Sequence, residues 1–330
     1  LAALVLLAGA SLAQAQTVNV LCSPDLAWCE ALGPAYAAAT GNELAFVRLS
    51  SSEALARLRA EAANPAFDVW FGGTGDPHLV AFNEGVTEFY KPSTWDELLP
   101  SLTAAVGETY IPLYTGAIGF VVNEALLEAE GLPVPQCWAD LVDPAYKDLL
   151  AMPNPNTSGT AYTVIATLVQ LFGEEEAFEM LAAMHQNIAQ YTRSGGAVGL
   201  LAGRGDVAVA IQFLHDGVKF AQQGFPVTNI APCEGTGFEI GGLSLIAGAP
   251  NRDAAIAFIE WATSPEGQVI AAEQGDSFQI QSNASTPVPP ESPDLASINL
   301  IDYDFATYGD PAVRDSLVAR WTQEIFPVPR

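Results

Sequence analysis

Residues 211–217 read IQFLHDG and set His215, one of three histidines in the chain, directly beside Asp216. The preceding run, DVAVAIQF, has the branched apolar character of a buried strand, and Gly217 breaks it. An imidazole next to a carboxylate can transfer protons, grip hydroxyl groups, or simply cap a strand end and the helix after it. The first use is disfavoured, because sequence neighbours rarely reach the base–orienter geometry that activates a nucleophile. No GxSxG elbow accompanies the pair, so a phosphatase or esterase is a remote alternative.

Three further segments offer chemistry. DVWFGGTGDP (68–77) runs from a strand through Gly73 and Thr74 into a helix start, which leaves backbone N–H groups free for oxygen-rich ligands. It lacks the third glycine of a dinucleotide fingerprint. NPNTSGTAYTVIATLVQLFG opens at Asn154, with Ser158, Gly159 and Thr160 at the head of a long apolar helix. Ser158 there is either an N-cap or part of an anion cradle. QYTRSGGAV (190–198) holds Thr192, Arg193 and Ser194 at a strand-to-helix turn. Arg193 could fork onto phosphate oxygens or pair with a surface carboxylate. APCEGTGFEIGG (231–242) adds Glu234 and Glu239. The tripeptide Arg204-Gly205-Asp206 reads as chance rather than as an adhesion motif.

The elements that must position these groups alternate. TVNVLCS, NELAFVRLS and AFDVWF read as strands, separated by two helical patterns, the first closed by Gly41 and the second opened by a Ser50/Glu53 capping box. This β-α-β-α-β order predicts an α/β fold with a mostly parallel sheet. In TYIPLYTGAIGFVVN two strand-like runs follow one another with no room for a helix. The predicted organisation is a first lobe over 16–115 and 238–330, a second lobe over 116–237, and a hinge of two extended crossovers beside an interlobe ligand cleft. Strand ends at such a cleft are where ligands bind.

Composition narrows the function. The net charge is −26, from 38 acidic and 12 basic residues, which opposes nucleic acid and anionic membranes as partners. Only 15% of residues are charged and 50% are hydrophobic, the balance of a folded globular chain. The apolar start, LAALVLLAGASLAQAQ, reads as the remainder of a signal peptide over 1–15, with the small-x-small site Ala13-Gln14-Ala15. Export to the periplasm or cell exterior follows, and four cysteines suit that oxidising compartment. The favoured pairing is Cys22 with Cys29 and Cys137 with Cys233, although four cysteines allow three pairings. No CxxC or HxxxH occurs, so neither a zinc site nor another cofactor is expected.

In order, FDVWFGGTGDPHLVAFNEGV, CWADLVDPAYKDLLAMPNPNTSGTAYT, YTRSGGAVGLLAGRGDVAVAIQFLHDG and EGTGFEIGGLSLIAGAPNRDAAIAFIEWATSPEGQ resemble the extracellular solute-binding proteins of ABC importers, in the type II periplasmic-binding-protein fold. The likeness spans nearly the whole mature chain and is strongest to the ferric-iron-binding branch and its hexose-phosphate-binding members. Iron binders of this branch carry adjacent tyrosines where this chain has Leu214-His215, and that departure argues against ferric iron. The resemblance implies His215, Asp216 and Glu239 as sugar contacts. It implies Ser158, Gly159, Thr160, Thr192, Arg193 and Ser194 as the phosphate site, with Ser23, Gly73 and Thr74 completing the first-lobe wall. The implied function is capture of a small phosphorylated ligand, most plausibly a sugar phosphate, by a monomer that delivers it to a membrane permease. A phosphonate or ferric iron is the alternative cargo.

Overall fold

The computed structural model describes residues 15–330, so the leader expected over 1–15 lies outside the described residues except for Ala15. Eleven strands run β1 (Thr17–Cys22), β2 (Glu43–Arg48), β3 (Val69–Phe71), β4 (Thr87–Glu88), β5 (Ile111–Val122), β6 (Leu150–Pro153), β7 (Ile188–Thr192), β8 (Val209–Phe213), β9 (Thr228–Ile230), β10 (Phe238–Ile246) and β11 (Ile280–Gln281). The alternation expected near the start is present. Helix Leu26–Thr40 ends on Gly41 in the left-handed region, and Ser50 with Glu53 forms the capping box that opens helix Ser51–Glu61.

Two sheets share one strand. The first has the order β2-β1-β3-β10-β5, with β1 parallel to both β2 and β3 and with β10 antiparallel to β3 and β5. The second continues β5-β8-β6-β7, and β9 also pairs with β5. The two runs expected in TYIPLYTGAIGFVVN are therefore a single strand of 12 residues, every one of them buried. Its first half pairs with β10 as far as Ala117, and its second half pairs with β8 and β9 from Ile118 onward. Burial on both faces explains the near-continuous apolar sequence.

Each sheet carries its own core. Val20, Trp28, Phe71, Leu113 and Phe258 belong to the first, and Phe120, Trp138, Ile165, Val209 and Ile211 to the second. The tail departs from expectation. Tyr303, Leu317, Trp321 and Ile325 pack into the second core, so the chain crosses back beyond β10 and the assignment of all of 238–330 to the first lobe is corrected. An amphipathic helix must bury its apolar stripe somewhere, but the stripe itself does not name the acceptor. The bonded cysteines are Cys22–Cys29, which ties β1 to the helix after it, and Cys137–Cys233 in the second lobe.

Candidate functional site

Between the two lobes lies a cleft whose first wall is made of helix beginnings. Ser50 and Ser51 head helix Ser51–Glu61, Thr74 heads helix Gly75–Asn83, and Gly159 and Thr160 head helix Gly159–Phe172; all line the cleft. These segments interlock. The Thr74 N–H donates to Ser51 Oγ at 3.1 Å, and the Gly73 N–H donates to the Tyr114 hydroxyl oxygen at 2.7 Å. A Cβ on Gly159 would overlap Thr74 Oγ1, so this approach of the second lobe to the first tolerates only glycine. Neither Thr74 nor Ser158 caps its own helix. Both side chains are buried, and Thr74 Oγ1 and Ser158 Oγ have no partner within the protein. Unpartnered buried hydroxyls are costly unless something else completes them. With the N-terminal helix dipoles, they suit an anionic, oxygen-rich group.

The second wall is acidic. His215 and Asp216 sit in the first turn of helix Leu214–Gln222, which follows β8 at its C-terminal end, and Glu239 lies on β10. In the sheet register Glu239 faces Gly116 of β5, where the missing side chain makes room for the His215 ring. His215 Nε2 is 3.7 Å from Asp216 Oδ1, too long for a hydrogen bond, and Nδ1 has no partner. Burial pushes the His215 imidazolium down to about 3, so the ring is neutral at physiological pH. Asp216 is pushed up to about 8, first by burial and then by the nearby Asp25 carboxylate. Burial, followed by Asp216 and Asp76, raises Glu239 well above the ordinary carboxylate range. Burial thus disfavours the charged carboxylates of this wall, and a carboxyl that keeps its proton, as Asp216 does below about pH 8, can both donate to and accept from hydroxyl groups.

Most of the expected residues meet here. Ser23, Gly73, Thr74, Gly159 and Thr160 line the cleft, as do His215, Asp216 and Glu239. Ser23 Oγ also accepts from the Trp70 indole at 2.8 Å. Ser158 lies at the head of the helix, just behind Gly159. Thr192, Arg193 and Ser194 are not in the lining. Thr192 Oγ1 turns back to the Ser194 carbonyl at 2.9 Å, and Arg193 extends to Glu53 at the rim. The turn after β7 instead brings Gly195 and Gly196 into the cleft. Glu234 is remote from it: its carboxylate accepts the N–H groups of Trp138 and Ala139 at 2.8 and 2.9 Å. It also neighbours Cys137 and Cys233, whose sulfurs are committed to a disulfide and not to a metal.

Sequence reasoning missed Asp25, Arg48 and Tyr114, all of which line the cleft. Arg48 holds the Pro24 carbonyl through Nε at 3.0 Å and is a cation within the lining. Asp25 lies just past the end of β1 and Arg48 is the last residue of β2, but no local motif marks either as a cleft residue.

Two α/β lobes that share crossing strands, with a polar cleft between them, define a protein that binds a small ligand. The chain belongs to the bacterial extracellular solute-binding proteins, whose family model matches residues 78–307, and within them to the type II, ferric-binding-like branch. It is thus the substrate-binding component of an ABC importer. Among solved structures, the periplasmic binding protein AfuA from Actinobacillus pleuropneumoniae, with fructose-6-phosphate bound, is 39% identical. The alignment covers 94% of this chain and 98% of that one, with a TM-score of 0.91. A Haemophilus influenzae protein without an assigned function is 40% identical over 93% of this chain and 90% of its own length. Iron uptake protein A2 from Synechocystis is 25% identical over 81% and 79%, respectively. No described helix is long and apolar enough to cross a membrane.

Proposed function

We propose that the protein captures a sugar phosphate in the periplasm as a monomer, closes over it by hinge motion, and presents it to the permease of its importer. The observation that carries this reading is the two-walled cleft. Three helix N-termini and the unpartnered Thr74 and Ser158 hydroxyls supply an anion site, with the Arg48 cation in the same lining. His215, Asp216 and Glu239 face them with groups that match sugar hydroxyls. Ligand contacts to both lobes would stabilise the closed form by differential binding. The fructose-6-phosphate bound to AfuA supports the same ligand class.

Ferric iron is the weaker reading because of the donors present. Tyr114 supplies the phenol oxygen of the lining, and that oxygen already accepts the Gly73 N–H. Burial raises the phenol well above its ordinary value, which opposes the phenolate that would bind iron. A thermal-shift panel of hexose phosphates, free phosphate, a phosphonate, free hexoses and ferric citrate tests the proposal. A ligand at about 100 times its Kd stabilises the fold by about 2.7 kcal/mol. Hexose phosphates should give the largest shift. A shift with free hexoses or ferric citrate, and none with the phosphates, would overturn it.

A further inference from the structure

Basic residues are scarce in this chain, 12 against 38 acidic ones, yet two of them bridge the lobes at the mouth of the cleft. Arg193, just past β7 in the second lobe, sets Nε on Glu53 Oε1 in the first-lobe helix Ser51–Glu61. Lys219, on helix Leu214–Gln222, sets Nζ on Asp25 Oδ2 just past β1. Beside them the Gln223 amide donates to Asp276 Oδ2 at 3.0 Å. Arg193 and Lys219 are absent from the cleft lining, whereas Asp25 is part of it.

Each acceptor is tied to a wall of the cleft. Glu53 takes Arg193 on Oε1 while its Oε2 accepts the Ser50 N–H at 3.3 Å, so the bridge ends on the cap of a helix whose first residues line the cleft. Asp25 lies so close to Gly196 that a Cβ there would overlap Oδ1, which makes its carboxylate a contact point between the lobes. The two bridges differ in strength. The Lys219 and Asp25 side chains are 15% and 22% exposed, while Arg193 is 76% exposed. Solvent screens the Arg193 pair more, so Lys219 carries the greater effect.

We propose that Lys219 and Arg193 are positioning residues for ligand capture. They fasten the second lobe onto Asp25 and Glu53 without touching the ligand, and so set how long a bound ligand is retained. The inference rests on the cleft being the ligand site, but not on which ligand occupies it. Without ligand the lobes exchange between bridged and parted forms, and a ligand enters the parted form. Their loss therefore appears in the dissociation rate and leaves the association rate nearly unchanged.

The test compares wild type, Lys219→Met, Arg193→Met and the double variant, with fructose-6-phosphate as the kinetic probe and with small-angle X-ray scattering of the ligand-free proteins. Lys219→Met should raise the dissociation rate about tenfold and Arg193→Met about twofold, with association within twofold of wild type. Lys219→Arg and Arg193→Lys should restore slow dissociation, which a purely structural defect would not allow. The ligand-free double variant should have a larger radius of gyration than wild type, and 1 M NaCl should move wild type toward it. Equal radii for the wild type and the double variant would overturn the proposal whatever the ligand, as would slower association with unchanged dissociation. Failure of wild type to bind fructose-6-phosphate would instead count against the ligand class, and the scattering comparison would still decide the bridges.

Discussion

The two walls of the cleft meet their ligand by opposite means. The first, built from Ser51, Thr74, Gly159 and Thr160 with Ser158 next in the chain behind them, uses hydroxyls and helix dipoles, none of which titrates near neutral pH. The second, built from His215, Asp216 and Glu239, consists of ionisable groups whose charged forms burial suppresses. In a chain of net charge −26, long-range forces repel an anion, so an anion site must rely on short-range dipoles. Suppressing the charge of the second wall removes the nearest repulsion. The fit of a phosphorylated ligand then depends on geometry in the first wall and on protonation in the second.

The largest expected effect comes from spoiling the geometry of the first wall. Gly159→Val introduces a side chain where even a Cβ overlaps Thr74 Oγ1, so the lobes cannot close on the ligand. Calorimetric titration with fructose-6-phosphate should show at least about 100-fold weaker binding, a loss of about 2.7 kcal/mol. Each lobe keeps its own core, so the thermal midpoint of the ligand-free protein should change little. Retained affinity would mean that the first wall does not depend on this close approach.

A pair of histidines sharpens the second wall. His78 and His215 are both buried, and burial pushes both down to about 3. Their bonding differs. His78 is fully engaged, with Nδ1 2.8 Å from Ser244 Oγ, Nε2 3.0 Å from the Gly72 carbonyl, and its ring stacked 3.7 Å from Trp70. His215 Nδ1 is unpartnered. His78→Ala should therefore cost about 3 kcal/mol of folding stability in denaturant titration. His215→Ala should cost little stability and weaken ligand binding about tenfold. Equal loss of stability in the two variants would make His215 an ordinary strand-end residue.

Local signals were legible in the sequence and tertiary directions were not. The capping box at Ser50 and Glu53, the helix stop at Gly41 and the alternation from β1 to β3 depend on neighbours within a few residues, and they fold as read. The segment TYIPLYTGAIGFVVN reads as two strand-like runs, because which strands its halves pair with is not a local property. Gly116 within it is the gap that admits the His215 ring. Arg193 entered the phosphate site through the family resemblance, with a surface carboxylate as its other reading; the direction of a long side chain depends on what the other lobe offers, here Glu53. Asp25 and Arg48 belong to no local motif, and it is the tertiary arrangement that brings them to the cleft. In the tail, Leu317, Trp321 and Ile325 pack into a core whose strands lie more than a hundred residues earlier in the chain.

The smallest effect separates the walls by pH. Asp216 has an ordinary value of 3.8 and is pushed up to about 8 in the fold, with Asp25, Lys219 and Arg48 as the charges that face it. Between those limits the folded state binds a proton that the unfolded state has lost, so this group lowers stability as pH rises from about 4 through 8. Asp216→Asn keeps the shape and stays neutral. The variant should match wild type near pH 4 and exceed it by about 1–2 kcal/mol, or roughly 2–4 °C in Tm, near pH 8. The Ser158→Ala variant, altered in the wall that does not titrate, should show no such pH-dependent difference from wild type. If Asp216→Asn is instead less stable at pH 8, attraction from Lys219 and Arg48 outweighs burial. The second wall would then present a carboxylate anion to its ligand, and the contrast between a titrating and a non-titrating wall would become one between negative charge and dipoles.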